Sequence, residues 1–81
     1  MDRNQLINDL AGGPVVVTFT KKDGTERIMP CTINEQIIAA KNPSASTLYT
    51  QNGDTLTVFD LEINQWRSFS LSSVKHSKVI F

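Results

Sequence analysis

The sequence predicts a mainly β protein, a small barrel of five short strands behind a short N-terminal helix. Three observations carry this. Runs of β-branched and aromatic residues recur between turn signals, at "VVVTFT", "ERIMPCTI", "TLTVFDL", "WRSFSL" and "KHSKVIF". A DG pair, which tolerates positive φ, separates the first two. A helix-type apolar stripe, Leu6, Ile7 and Leu10, is confined to the first dozen residues.

Taken in order, Asp2 is the N-cap of the helix, with Gln5 three residues on, and the Gly12 and Gly13 pair ends it near residue 12. So short a helix is unstable alone, so its stripe must dock on the sheet. In the first strand Val15, Val17 and Phe19 share a face; in the second Met29, Cys31 and Ile33 do, while Pro30, lacking an N–H for the ladder, indicates an edge or a bulge. Ile37, Ile38 and Ala39 are placed to cap a core. Residues 41–54 are polar and rich in turn formers and read as a long mobile loop. A second hairpin straddles "EINQ", and after a brief "SSV" turn the chain closes with a fifth strand. Helix, five strands and a tight turn before the last is the layout of SH3-like and Sm-like barrels, in which a bent sheet closes to hide most of its edges.

At 81 residues the chain makes one domain, 1–81, with one modest core. It shows no secretion pattern and no apolar run near the roughly 20 residues of a membrane span, so a soluble protein of the cytoplasm without membrane attachment is expected. Eight basic residues balance eight acidic ones. That balance argues against a strong nonspecific nucleic-acid binder, which needs excess Lys and Arg to displace counterions. Distribution qualifies the sum. Beyond Glu62 there is no further acid, only Arg67, Lys75, His76 and Lys78, and if this end lies beside Lys21 and Lys22 a local basic patch forms; otherwise these charges make a solvated mixed surface.

Catalysis finds little support. Cys31 and His76 are the only thiol and imidazole, and the strand position of Cys31 predicts burial as a small hydrophobe. The serines of "SFSLSS" lack an evident base, no glycine fingerprint cradles phosphate, and Asp54, Asp60 and Glu62 are too dispersed for a metal cage. No enzyme, cofactor or metal is expected.

Two segments carry family resemblances. "VTFTKKDGTERIMPCTI" and "LTVFDLEINQWRSFSLSSV" resemble the two ends of the WYL domain, in which Arg and Pro follow the first turn and Arg-x-Phe follows a later one. The resemblance implies a barrel that senses nucleic acid or nucleotide-like ligands, with Arg27, Pro30, Trp66, Arg67 and Phe69 as matching positions. Where that family tends to carry further arginines, this chain has Ser70 and Ser73, which removes bidentate phosphate donors, and no helix-turn-helix accompanies the barrel. Over nearly its whole length the chain also looks like short phage-encoded SH3-barrel proteins of unknown function, a resemblance that implies action in a host cytoplasm.

The candidate partner-binding or ligand-binding residues are Trp66, Arg67, Tyr49, Lys21, Lys22 and Lys75. Trp66 either stacks a base from the rim, worth about 1–3 kcal/mol per base, or packs on Pro30 or the helix and closes the barrel. Arg67 either binds phosphate or carboxylate, or pairs with Asp60 across the hairpin. Tyr49 is either exposed for a partner or staples its loop. Two functions follow. The first expected is a non-enzymatic protein-interaction module, a phage factor that redirects a host protein through Tyr49, Trp66 and "KVIF", a strand also able to pair with itself in a homo-oligomer. The alternative is a barrel binding single-stranded nucleic acid or a nucleotide, with a regulatory role.

Overall fold

The computed structural model describes residues 2–43 and 50–80. Helix α1 (Arg3–Gly12) is followed by strands β1 (Val15–Thr20) and β2 (Glu26–Thr32), helix α2 (Glu35–Lys41), strands β3 (Thr50–Asn52), β4 (Thr55–Asp60) and β5 (Gln65–Ser70), a 3₁₀ turn (Leu71–Ser73) and β6 (Val74–Val79). The architecture is the expected mainly β barrel with a short N-terminal helix. It differs in having a sixth strand, the short β3 inside the segment 41–54 read as a loop, and a second helix, α2. No helix among the described residues is long and apolar enough to cross a membrane.

The Asp2 carboxylate accepts from the amides of Asn4 and Gln5, so the predicted cap is in place; the Gln5 side chain turns to Asp9 rather than back to the cap. Asn34 caps α2 through the Ile37 amide. That signal, Asn three residues ahead of an apolar pair, is the same N-cap chemistry.

All pairing is antiparallel. The path runs β3-β4-β2-β1-β6, with β5 on the other edge of β4. β2 pairs with β1 from Glu26 to Cys31 but meets β4 only at Cys31 and Thr32. β2 is an interior strand between β4 and β1 rather than an edge; Pro30 sits one residue beyond the β2–β4 pairing, where its missing N–H interrupts no bridge, and its carbonyl accepts from the Leu61 amide at 2.9 Å.

The core gathers Leu6 and Leu10 of α1 with Val15, Val17, Phe19, Met29, Cys31, Leu56, Val58, Phe69 and Leu71. Val15, Val17 and Phe19 share one face of β1, and Met29 and Cys31 one face of β2, as their spacing predicts; that these faces are the inner ones is fixed by the fold, since "VVV" and "RIM" are apolar on both sides. The stripe of α1 docks as its length requires. Thr32 ties the helix end to the sheet. Its buried hydroxyl lies 2.8 Å from both the Leu10 and Gly13 carbonyls and accepts from the Asn34 amide.

A cationic groove between the first turn and β5

The turn joining β1 to β2 is built by its own sequence. Gly24 takes φ +90, its amide donates to the Lys21 carbonyl, and the Asp23 carboxylate accepts from the Thr25 amide and hydroxyl. Those Thr25 bonds, with the nearby Lys21 charge, hold the Asp23 carboxyl below the usual carboxylate range. Lys21 and Lys22 are exposed at the tip.

Opposite this turn runs β5. Register puts Phe69 across from Leu56 and Arg67 across from Val58, both buried residues, so Arg67 and Phe69 share the inward face of the strand. On β1 and β2, Phe19 faces Arg27 and Val17 faces Met29 in the same way. Among the described residues β5 has a ladder partner along one edge only, and a groove of about 470 Å³ opens between it and the turn. Phe19, Met29 and Phe69 form its apolar floor, with the two phenyl rings stacked at 5.2 Å. Lys21, Lys22, Arg27 and Arg67 supply four cations to its walls, against the single carboxylate of Asp23. A chain of zero net charge thus concentrates positive charge in one concavity.

The cations differ in their surroundings. Arg27 donates from Nη2 to Asp60 at 2.6 Å. The Asp60 side chain is wholly buried while that of Arg27 is 30% exposed. Lys22 and Arg67 make no salt bridge among the described residues. The expected Arg67–Asp60 pair is therefore not formed. Asp60 stands across from Gln65 on β5 and from Cys31 on β2, and it turns inward, where Arg27 two turns of the pleat earlier on β2 reaches it.

Ser70 and Ser73 also line the groove, but their hydroxyls are engaged. Ser70 donates to Asp54 and Ser73 to the Ser70 carbonyl. Asp54 also accepts from the Ser72 amide and hydroxyl and from Arg3, and these bonds, Ser70 first, lower its carboxyl to about 2. This clasp fixes the end of β5 against α1.

Of the residues singled out in the sequence, Lys21, Lys22 and Arg67 converge here. Lys75 does not line the groove; it pairs with Glu26 at 2.6 Å, both side chains half exposed. Trp66 faces the other side of β5, edge-on to the buried Phe59 at 5.5 Å. Its place is that of a packing residue, and it does not share a ligand with Arg67. Tyr49 lies outside the described residues, as does Phe81 of "KVIF". Cys31 is buried, and burial, reinforced by the Asp60 charge, pushes its thiol up to about 12. The sequence reading overlooked Asp60 as the partner of Arg27, and Phe19 and Met29 as the floor.

No curated protein and no solved structure matches this chain. A family model does match residues 3–74, that of WYL_2, described as an Sm-like SH3 β-barrel fold. The match runs from the start of α1 to the start of β6 and includes every groove residue, so the chain belongs to the WYL_2 family.

Proposed function

We propose that this barrel is a non-enzymatic binding module whose groove takes a phosphate-bearing nucleotide, free or within a short single strand, with a regulatory consequence. The observation that carries the reading is the gathering of Lys21, Lys22, Arg27 and Arg67 around an apolar floor in a chain of no net charge. Cations at the rim suit a phosphate, and an apolar floor suits the flat face of a base. The volume lies within the roughly 300–1,000 Å³ usual for small-ligand sites. A binding role also fits the one thiol, Cys31, which is buried and held protonated. Anisotropy of labelled single-stranded DNA and RNA, with nucleoside monophosphates as competitors, tests the proposal. Binding at physiological salt that Arg67→Ala weakens and Trp66→Ala leaves alone supports it. Binding that neither variant changes, or none, removes it.

A second reading, the protein-interaction module, is favoured by a different observation. β6 pairs with β1 alone among the described residues, and Ile80 beyond it is exposed. An open edge next to apolar side chains invites strand addition from a protein partner or a second copy. Sedimentation over a wide concentration range tests the self-pairing form, and a monomer throughout counts against it.

A further inference from the structure

The next assignment rests on the groove reading and divides the work among its cations. Arg27 spends one nitrogen on Asp60, whose other oxygen accepts the Glu62 amide at 2.9 Å. A guanidinium carries five N–H donors in a fixed fork, so most of them stay available on the exposed side. Asp60 itself does not line the groove. A ligand therefore meets the donors of Arg27 but not the carboxylate behind them. At ligand distance the pair acts as a dipole, its net charge cancelled, whereas Arg67 and Lys22 present uncompensated charge.

We propose that Lys21, Lys22 and Arg67 draw in the phosphate, while Arg27, neutralised and held by Asp60, is the specificity-determining donor that reads an uncharged acceptor edge of the base. A fork fixed in place rewards a matching pair of acceptors and leaves its donors unpaired when the edge is wrong, and such mismatches discriminate far better than charge does.

The test uses four homopolymeric single strands, each of one base, with affinity measured across a range of salt. Wild type is expected to spread its affinities over roughly tenfold, as one good arginine–base contact allows. Arg67→Ala should weaken all four alike, keep the spread, and make the salt slope shallower by about 0.7, one single-strand phosphate contact. Asp60→Asn should steepen the slope by a similar amount, because the charge of Arg27 is released. The paired variant Arg27→Gln with Asp60→Asn removes one charge of each sign; it should leave the slope as in wild type and shrink the spread to about twofold. A paired variant that keeps the spread, or shifts the slope as far as Arg67→Ala does, overturns the assignment. So does a wild type that binds without any spread, while a wild type that binds no strand at any salt overturns the groove reading itself. Independently of ligand, a slowly exchanging Arg27 Nη2–H resonance in wild type that is lost in Asp60→Asn is required, and its absence from wild type also overturns the assignment.

Discussion

Replacing Arg27 with alanine should cost far more stability than replacing its partner Asp60 with asparagine, because the two ends of the pair have unequal access to water. Asp60 is wholly buried and, without Arg27, keeps among the described residues only the Glu62 amide as donor. Stranding a buried charge in this way costs about 3–5 kcal/mol. Asp60→Asn strands nothing comparable. Arg27 is 30% exposed and can turn its charged end outward, so the loss is that of a charge-assisted hydrogen bond, roughly 1.5–3 kcal/mol, reduced by what solvent returns. Small domains sit toward the low end of the roughly 5–15 kcal/mol stability range, so Arg27→Ala stands near the edge of unfolding. Urea titration at neutral pH with a common m value measures both. An Arg27→Ala protein with no folded baseline counts as a loss at least equal to the wild-type stability. If Arg27→Ala costs under about 1 kcal/mol, or Asp60→Asn costs more than it does, the description of Asp60 as a buried carboxylate dependent on one arginine is refuted.

Thr32→Val keeps shape but leaves the Gly13 carbonyl and Asn34 amide without the hydroxyl between them, and should cost about 1–3 kcal/mol, read as a fall in the urea midpoint. Asp54 has a folded-state carboxyl lowered to about 2, so its stabilising share is fully present above its ordinary value near 3.8 and is lost as pH falls toward 2. Acid titration of wild type against Asp54→Asn should therefore show extra loss between about pH 4 and 2 in wild type only, and equal acid sensitivity of the two counts against the clasp. Cys31 should react with a thiol reagent at the rate of unfolding, with rapid labelling of the folded protein as the contrary result.

The strands are legible because β-branched and aromatic runs alternate with period two: Val15, Val17 and Phe19 share a face, as do Met29 and Cys31, while which face turns inward is decided by the fold, since both runs are apolar on either side. Extending that alternation two residues back from Met29 puts Arg27 on the inward face too. A cation there demands a partner, and this was the available signal for the ion pair. Its identity was not legible, since the β2–β4 register that brings Asp60 beside Cys31 is set by tertiary closure rather than by local pattern. Within one hairpin Arg67 is the nearest cation in sequence to Asp60, but the register seats Asp60 opposite Gln65 and Arg67 opposite Val58. β3 escaped notice because Thr50, Gln51 and Asn52 form a three-residue strand of polar residues, with no apolar alternation to reveal it. The groove was half visible. Lys21, Lys22 and Arg67 could be named from a turn and a motif, whereas the exclusion of Lys75 and Trp66 follows from which face of the sheet each occupies.

The claim that the groove is the ligand site is tested most directly by amide and side-chain NMR of the labelled protein during titration with nucleoside monophosphates and then a short single strand. Shifts centred on Thr20, Lys21, Lys22 and Arg27 and on Arg67 to Ser70 are expected, with the Trp66 indole Nε1–H unmoved. Shifts that instead follow Val74–Val79 and the Trp66 indole, or a spectrum unchanged at saturating ligand, would contradict it.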